Sequence, residues 1–445
     1  MEMTVQLTPI ASEHSSELER KIRDRSAKLG VLGLGYVGLP LAVEMAQSGF
    51  SVTGIDIDGR KVESVNAGIS FVLGLPNESL RTATDNGTIR ATQSFAAIES
   101  LDTITICVPT PLRKTKDPDL PYIIAAFEAV HNHLGPGKLI ILESTTYPGT
   151  TREVVLPILE KSGLKAGRDF FLAYSPNRVD LGNNAARNFP KVIGGITTRC
   201  TELATLLYQQ FVERTVAVSS SESAEMVKLL ENTFRSVNIA LADEMARMCR
   251  KFGISVWEVL DAVNTKPFGL KPSSYQKSDL GGDRMPVDPY YLSWKAKMNS
   301  FGLRLIELAA VIKNGMPAFT INWIADALNQ NKKSLNGSRI IALGIANKRD
   351  TNDTQESPNL DVVKGLQEKG AIVSYSDPHV PFIKLEGKKM KSTSITPAVL
   401  NSMDCTVILT DHSAFNYSMI SEHAKLILDC RSVLRGYLGS NVTRL

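Results

Sequence analysis

Three glycines near the start of the chain have the spacing of a phosphate-binding turn. Gly33, Gly35 and Gly38 form a G-x-G-x-x-G pattern between the apolar run 29–32 and a helical pattern. The first glycine allows a tight bend, the second lets the backbone approach a pyrophosphate, and the third allows helix and strand to pack closely. Asp56 ends a second apolar run 21 positions after Gly35, where a carboxylate binds the ribose hydroxyls of NAD and repels the 2′-phosphate of NADP. The pattern predicts an NAD site, against the alternative of a glycine-rich turn that binds nothing.

A second pair of candidate residues lies on a long predicted helix. Apolar residues recur at steps of three and four over residues 221–253, which indicates an amphipathic helix that ends at Gly253. The apolar side predicts core packing or a dimer interface. Lys228 and Asn232 are four positions apart, so their side chains are expected to project in the same direction.

Alternating strands and helices must position these residues. A polar N-terminal segment, residues 1–27, ends in a charged amphipathic run that predicts a short helix. Near-continuous apolar strands then alternate with helices over residues 29–216, which predicts a parallel sheet covered on both faces. Ligands of such sheets bind beyond the carboxyl ends of the strands. Those ends carry hydroxyl-rich loops at 108–111, 143–151 and 175–182, although ordinary turn chemistry also explains their composition.

A further α/β unit begins near Ser338. Residues 339–344, 371–375, 405–409 and 426–428 read as buried strands, and Ser357 followed by Pro358 has the pattern of a helix N-cap. The predicted fold class is therefore α/β, with two Rossmann-like, doubly wound parallel-sheet domains joined by a long central helix.

Length and composition exclude several other classes of protein. A chain of 445 residues is expected to form two or three domains, and 43% apolar with 22% charged residues is typical of a soluble globular protein. A net charge of +4 without a dense basic block argues against nucleic acid as the main partner. No apolar stretch of membrane-spanning length and no leader is evident, so we expect a cytoplasmic protein without a membrane partner. Five scattered cysteines predict reduced thiols and no metal site.

Five longer stretches give the chain a specific resemblance. They read GLGYVGLP at 33–40, ICVPTPL at 106–112, ESTTYPGTT at 143–151, MVKLLENTFRSVNIAL at 226–241 and PVDPYYL at 286–292. With them the chain resembles the UDP-glucose/GDP-mannose dehydrogenase family over nearly its whole length, and most closely its UDP-N-acetylhexosamine 6-dehydrogenase branch. The resemblance implies an N-terminal helical extension at 1–27, an NAD-binding Rossmann domain at 28–216, a central dimerisation domain at 217–320 and a nucleotide-sugar-binding domain at 321–445.

The resemblance also implies a reaction. A sugar C6 hydroxyl would be oxidised to a carboxylate with two NAD, through a cysteine thioester that water hydrolyses with the help of a glutamate. Positions that match the family imply cofactor contacts from Gly33, Gly35, Tyr36, Val37, Gly38, Asp56, Pro109, Thr110 and Thr145, and catalytic roles for Lys228, Asn232, Asp288 and Thr146. The implied partners are a nucleotide-sugar substrate and a second copy of the chain.

Two positions depart from the family pattern. The family's GGHCIPVDP reads GGDRMPVDP at 281–289, so Arg284 replaces the nucleophilic cysteine. The family's SPERVDPG reads SPNRVDLG at 175–182, so Asn177 replaces the glutamate. Arginine stays protonated and cannot attack a carbonyl, and an amide cannot act as a base. Because both losses fall in the second half-reaction, the sequence predicts that this half-reaction is absent.

The substrate side departs as well. A polar stretch, KPSSYQKSDL at 271–280, replaces an aromatic loop of the family, and ANK at 346–348 and QESP at 355–358 replace AYK and RESP. The sequence therefore leaves the identity of the sugar open.

Several readings of this altered site remain open. The first is a single two-electron oxidation to an aldehyde or ketone, in which Lys228 and Asp288 position a water that takes the proton. Arg284 would then bind an anionic group of the substrate, or else pair with Asp283 or Asp288 and fill the pocket. The second is a non-catalytic homologue that binds NAD or a nucleotide sugar as a partner or sensor. Lesser alternatives are redox-neutral epimerisation, and full oxidation with another nucleophile such as Cys249.

Overall fold

The computed structural model describes residues 13–72, 74–111, 118–178, 189–266, 288–354, 357–437 and 439–444. The described residues divide into two units. Unit 1 comprises the described parts of Met1–Asn232 and Val287–Gly302, and unit 2 those of Thr233–Pro286 and Leu303–Leu445. The finer division into four segments stays a prediction.

Unit 1 is built on one sheet. Its described strands are β1 Lys28–Leu32, β2 Ser51–Ile55, β3 Ile89–Thr92, β4 Thr103–Ile106, β5 Leu139–Leu142, β6 Phe171–Tyr174, β7 Lys191–Gly195 and β8 Thr215–Ala217. They lie in the order β3-β2-β1-β4-β5-β6-β7-β8. Neighbouring strands from β3 to β6 are parallel, as predicted, whereas β7 pairs with β6 in the antiparallel direction. Strand β8 pairs with β7 in the parallel direction, so these last two strands run opposite to the rest of the sheet, a mixed arrangement that is common in α/β folds.

Helices cover both faces of this sheet. They are α1 Glu13–Arg23, α2 Gly38–Gln47, α3 Gly59–Asn66, α4 Asn77–Asp85, α5 Pro121–Asn132, α6 Leu156–Glu160 and α7 Thr198–Tyr208, with a 3₁₀ turn at Phe95–Ser100 and a π turn at Thr151–Val155. Because successive side chains of a strand point to opposite faces, β5 contributes to two cores. Leu139 and Ile141 pack with α1, α2 and α7, whereas Ile140 and Leu142 pack with α5 and α6. The apolar character of the whole strand follows from this double burial.

A set of helices follows the first sheet in sequence. These are α8 Ser221–Phe252, α9 Val256–Asn264, α10 Asp288–Met298, α11 Arg304–Asn314 and α12 Met316–Gln330. Helix α8 has 32 residues and is therefore about 48 Å long. Gly253 follows it with φ +67°, the left-handed conformation that commonly ends a helix, which confirms the predicted stop. Helix α8 begins in unit 1 and ends in unit 2, and α10 belongs to unit 1.

Unit 2 contains a second parallel sheet. Its strands are β9 Arg339–Leu343, β10 Ile372–Ser376, β13 Cys405–Ile408, β14 Ile427–Asp429 and β15 Val442–Arg444, a hairpin is formed by β11 Phe382–Leu385 and β12 Lys388–Lys391, and the helices are α13 Pro358–Glu368, α14 Pro397–Ser402 and α15 Tyr417–His423. The sheet order is β10-β9-β13-β14-β15. Ser357 caps α13 by accepting the N–H of Asn359, as its sequence predicts. The two parallel-sheet units and the long helix confirm the predicted fold class.

Within the described ranges, none of the helices combines the length and apolar character that a bilayer span requires.

Candidate functional site

The glycine-rich turn between β1 and α2 has the shape of a phosphate cradle. Gly33 has φ +95°, and a Cβ atom there would lie 2.6 Å from the Cys107 carbonyl oxygen. A Cβ at Gly38 would lie 1.9 Å from the Gly33 oxygen, so neither position accepts a side chain. A Cβ at Gly35, in contrast, would have no atom of the described residues within 4 Å. The backbone at Gly35 is thus open to a ligand, which fits the close approach of a dinucleotide pyrophosphate.

The carboxylate of Asp56 lies against the same turn. One of its oxygens accepts the Leu34 N–H at 2.8 Å, and the other accepts the Asp58 N–H at 2.9 Å. Lys61 Nζ donates to Asp56 Oδ2 at 3.1 Å. Asp56 therefore joins the end of β2 to the turn, where a bound ribose would meet a carboxylate. Tyr36, next to Gly35, is largely exposed, and Val37 precedes the first residue of α2.

Two loops at the carboxyl edge of the sheet are joined by hydrogen bonds. Ser144 Oγ donates to the Val108 carbonyl at 2.8 Å, which connects the loop after β5 to the loop after β4. Pro109 and Thr110 lie in the loop after β4, and the hydroxyl of Tyr291 on α10 donates to the Thr110 carbonyl at 3.2 Å. The predicted cofactor contacts after β4 thus lie on a loop that α10 supports.

Helix α8 presents its lysine to the loop of residues 143–151. Lys228 Nζ donates to Thr145 Oγ1 at 2.7 Å, and Asn232 lies one helical turn further along α8. Both α8 side chains are half-buried. Thr146 is fully buried, and its Oγ1 has no hydrogen-bond partner among the residues that the structure describes. A buried hydroxyl without a partner is unfavourable, so a ligand that supplies one fits this position.

A carboxylate that the sequence analysis did not single out lies beside this contact. Glu225 is fully buried on α8, and its two oxygens accept hydrogen bonds from loop residues Gly149 and Thr151. Burial raises the pKa of Glu225 to about 7, although the three hydrogen bonds oppose that shift. Glu225, Lys228 and Asn232 are three and four positions apart, so helical periodicity is the signal that groups them.

Helix α10 packs against the same loop. Tyr291 forms an apolar cluster with Tyr147 of the loop and Leu229 of α8. The rings of Trp294 and Tyr147 have centroids 4.9 Å apart. The first residue of α10 is Asp288, whose side chain lies outside the described structure. The backbone that carries Asp288 is thereby held in unit 1, close in sequence to residues that contact the loop.

The second replaced position lies in a segment tied to α8. Asn177 is half-buried in the segment after β6. Its neighbour Arg178 donates from Nε to Glu231 Oε2 at 2.9 Å and from Nη1 to the Pro190 carbonyl at 2.8 Å. Since Glu231 directly precedes Asn232, this ion pair connects the Asn177 segment to the part of α8 that carries Asn232. The other replaced position, Arg284, lies outside the described residues.

The cysteine side chains are poorly suited to nucleophilic attack. Cys249, considered above as an alternative nucleophile, is buried in the apolar core of unit 2. Cys107 lies beneath the glycine-rich turn. Desolvation, with a contribution from the Glu143 carboxylate, raises the pKa of Cys107 well above its usual value. The other three cysteines are buried as well. A thiol that stays protonated is a weak nucleophile.

A histidine-containing group in unit 2 does not have the properties of a metal site. Ligand atoms of Asp350, His379 and His412 lie within 4.8 Å of one another. However, His412 Nδ1 accepts the Asp350 N–H at 2.9 Å, and His412 Nε2 lies 3.1 Å from an oxygen of Asp377. Both ring nitrogens of His412 are therefore engaged within the protein, and two side chains alone do not form a cation site.

The chain matches three sequence models of one protein family. They are those of the UDP-glucose/GDP-mannose dehydrogenase family, namely its NAD binding domain over residues 27–212, its central domain over 222–314 and its UDP binding domain over 341–436. The glycine-rich turn and Asp56 lie in the first matched region, and Lys228 and Asn232 lie in the second.

Named relatives and solved structures agree with this match. The chain is 34% identical to the UDP-N-acetyl-D-mannosamine dehydrogenase of Pyrococcus horikoshii over 92% of this chain and 96% of that protein. It is 33% identical to a UDP-N-acetyl-D-glucosamine 6-dehydrogenase of Pseudomonas aeruginosa over 88% of this chain and 92% of that protein. The structure of the UDP-D-ManNAc dehydrogenase from P. horikoshii superposes with a TM-score of 0.83 at 32% identity, covering 94% of this chain and 98% of that one.

Proposed function

Because the chain belongs to the UDP-glucose/GDP-mannose dehydrogenase family, an NAD-dependent family of nucleotide-sugar dehydrogenases, we propose that it performs a single two-electron oxidation. A hydroxyl of a UDP-sugar-like substrate is converted to an aldehyde or ketone, and the reaction stops there. The observation that carries the proposal is the contact between Lys228 and Thr145 at 2.7 Å. It holds in place the lysine that the family pattern assigns to the first oxidation, although Arg284 and Asn177 replace the residues assigned to the second.

The oxidation requires the carbinol to lose a hydride and a proton. Bound NAD supplies the hydride acceptor. The proton leaves the substrate hydroxyl through a water that Lys228 and Asp288 position, so that one substrate yields one carbonyl product, one NADH and one proton. Asn232, on the same face of α8 as Lys228, orients the reacting hydroxyl or that water by hydrogen bonding. Thr146 Oγ1 is the buried hydroxyl available to a ligand at this place.

The reaction stops after this step because the chain lacks the chemistry for the next one. Oxidation of an aldehyde by hydride loss requires a nucleophile that first makes it tetrahedral, and Arg284 cannot act as one. Hydrolysis of a thioester requires a base, which the amide of Asn177 cannot supply. The raised pKa of Cys107 and the burial of Cys249 argue against a substitute thiol.

The substrate class follows from the relatives and from Arg284. The relatives named above act on UDP-N-acetylhexosamines, and a structure from Methanosarcina mazei Go1 that is 30% identical, with a TM-score of 0.80 over 96% of this chain and 97% of that one, is an NDP-N-acetyl-D-galactosaminuronic acid dehydrogenase. The guanidinium fork of Arg284 suits a carboxylate or phosphate. We therefore expect a UDP-N-acetylhexosamine or its uronic acid as the substrate.

The central helices are proposed to join two copies of the chain. In the unit 2 part of α8, exposed apolar side chains recur at Phe234, Leu241, Met248 and Phe252. On α11, Leu305 and Leu308 are more than half exposed. Such a stripe is unfavourable in water, and a second copy that presents the same stripe would bury it.

Five free thiols are compatible with the predicted cytoplasmic location.

The stoichiometry of NADH decides between the readings of the site. Purified protein is incubated with NAD and a panel of UDP-N-acetylhexosamines and their uronic acids, and NADH formed is counted per substrate consumed. One equivalent with a trapped carbonyl product supports the proposal. Two equivalents with a uronate product contradict it, and NAD or sugar binding without NADH indicates a non-catalytic homologue. Sugar conversion without net NADH indicates epimerisation.

A further inference from the structure

A buried carboxylate on α8 holds the distal end of the loop that Lys228 contacts. Glu225 Oε2 accepts the Gly149 N–H at 2.6 Å, and Oε1 accepts both the Thr151 N–H at 2.8 Å and the Thr151 hydroxyl at 2.6 Å. Both oxygens are thus engaged by donors from residues 149–151. The backbone N–H groups belong to the start of a helical segment, where such donors have no partner within the helix.

Burying a carboxylate at this position is unfavourable for the free energy of folding. Desolvation disfavours the charged form of a fully buried carboxylate, and an apolar residue at the same position would avoid that cost. A carboxylate that bridges two elements instead fixes their distance and orientation, since its hydrogen bonds are directional and stronger than those of neutral groups. The two elements here are α8 and the loop of residues 143–151.

The bridge lies one turn of α8 from the contact between Lys228 and Thr145. The loop is therefore attached to α8 at two places, at Thr145 through Lys228 and at Gly149 and Thr151 through Glu225. Thr146, with its buried hydroxyl, lies between them in sequence. We infer that Glu225 is a positioning residue for the oxidation proposed above: by fixing the end of the loop it sets the place of Thr146 and of the Thr145 hydroxyl that meets Lys228. The inference rests on that proposed function.

The protonation state of Glu225 affects this role. The Thr151 hydroxyl can reverse to accept the hydrogen of a protonated carboxyl, but the two backbone N–H groups can only donate, and a neutral carboxyl oxygen accepts them less strongly than a carboxylate does. The titratable groups that interact electrostatically with Glu225 are Glu222 on α8 and Tyr147 of the loop. Arg152 pairs with Glu222, and Lys295 pairs with Glu153 close to Gly149. Desolvation disfavours the charged form most strongly, and the charge of Glu222 adds to this effect. With a pKa of about 7, Glu225 becomes fully able to accept all three bonds only above neutral pH.

A matched pair of substitutions tests the inference. Glu225→Gln keeps the size of the side chain but replaces one accepting oxygen with a donating NH₂ group. Glu222→Gln is the control, because Glu222 also connects α8 to the same turn, through Arg152, but near the surface. We expect kcat for NADH formation to fall roughly tenfold to a hundredfold in Glu225→Gln, as for a misplaced catalytic group, with the KM for NAD within about twofold. Glu222→Gln should stay within about twofold of the wild type in both.

The pH profile separates positioning from a general loss of structure. In the wild type, kcat should rise through neutral pH with an apparent pKa near that of Glu225, about 7. This rise should be absent in Glu225→Gln and retained in Glu222→Gln. If Glu225→Gln retains wild-type kcat, or retains the rise, the inference is wrong.

Hydrogen exchange provides a readout that needs no turnover. Amides in a peptide covering 144–156 should exchange about tenfold faster in Glu225→Gln than in the wild type, whereas a peptide covering the glycine-rich turn should be unchanged. Unchanged exchange at 144–156 overturns the inference even if activity falls. If the exchange increases but the wild type forms no NADH with any nucleotide sugar, the contact stands while the proposed function fails, and the catalytic part of the inference fails with it.

Discussion

Lys228 Nζ lies 2.7 Å from Thr145 Oγ1, which joins a helix and a loop that are 83 residues apart in the sequence. The lysine side chain is half-buried, and its ammonium group donates to this hydroxyl. An ammonium group carries three N–H donors, and the Thr145 hydroxyl accepts one of them. This hydrogen bond places the charged head group of the lysine beside the loop to which the proposed mechanism assigns the reaction.

Removing the lysine head group should abolish most turnover without affecting cofactor binding. We expect Lys228→Met to lower kcat roughly a hundredfold or more, since methionine keeps the length of the stem but donates no hydrogen bond. The Kd for NAD, measured by fluorescence titration, should change by less than about twofold because the glycine-rich turn is untouched. Lys295→Met is a suitable control, since Lys295 binds Glu153 near the surface of the same unit. Unchanged kcat in Lys228→Met would remove this residue from the proposed mechanism.

Restoring the missing nucleophile should extend the reaction in two stages. Arg284→Cys alone is expected to trap the aldehyde and to form a thioester with a second NADH, but to stall there because Asn177 cannot activate water. Mass spectrometry should then detect an acyl adduct on the protein, with NADH released in a burst. Arg284→Cys combined with Asn177→Glu should turn over with two NADH per substrate.

The matched control for this series is Arg284→Ala, which removes the guanidinium group without adding a thiol. It should form neither an adduct nor a second NADH. If the double variant gives only one NADH on every substrate that the wild type oxidises, the replaced residues are not what limits the reaction to one step.

The carboxylate at the end of β2 should select NAD over NADP. Asp56 accepts the Leu34 N–H and contacts Lys61, so it lies where the adenosine ribose is expected. We expect Asp56→Ala to narrow the ratio of kcat/KM for NAD over NADP by roughly tenfold or more, because repulsion of the 2′-phosphate is lost while Lys61 remains. Asp58→Ala is the control for a carboxylate two residues away. An unaltered ratio would place the ribose elsewhere.

Glu225 should give the stability of the protein a distinctive pH dependence. Its pKa is about 7 in the folded protein and near 4.5 when unfolded, so the folded state holds this proton more tightly. Stability contributed by that proton is full below about pH 4.5 and is lost as the pH rises through 7. Relative to Glu225→Gln, the wild type should therefore lose up to about 3 kcal/mol of unfolding free energy over this range.

Equilibrium urea unfolding at several pH values measures this difference. Glu222→Gln is the control, because the pKa of Glu222 is shifted in the opposite direction from that of Glu225. Partial burial alone would raise the pKa of Glu222, but hydrogen bonds, the strongest of them from Arg152, outweigh burial and lower it. Relative to that variant, the wild type should gain stability as the pH rises through the acidic range. Parallel curves for the wild type and Glu225→Gln would contradict the raised pKa.

An acidic side chain in the exposed apolar stripe should keep the chain monomeric. We expect Leu308→Glu to shift the mass measured by light scattering from two chains to one, because burying an unpaired carboxylate opposes association. Ile372→Glu, an exposed apolar position on β10, is the control and should leave the dimer intact. A wild type that is monomeric at micromolar concentration would contradict the proposed interface.

Sequence periodicity predicted the elements better than the contacts between them. The predicted helix 221–253 is observed as Ser221–Phe252, because its apolar residues repeat regularly and Gly253 ends it. The contact of Glu225 with Gly149 and Thr151 was not predicted, because backbone N–H groups of a distant loop leave no mark on the residue types. The antiparallel pairing of β7 with β6 was missed for a related reason, since an apolar strand carries no signal of its direction.

The continuity of α8 limits how this chain can be divided. A fragment that ends before Ser221 would lack the lysine and asparagine on which the proposed oxidation depends. A fragment that ends after Phe252 would carry Ala242, Ala246 and Cys249 into water, although the intact protein buries them in the core of unit 2. A cofactor-binding half that ends before this helix therefore lacks Lys228 and Asn232, and one that ends after it exposes apolar residues from the core of unit 2. The continuous helix α8 therefore disfavours an arrangement in which two separate genes encode the two halves.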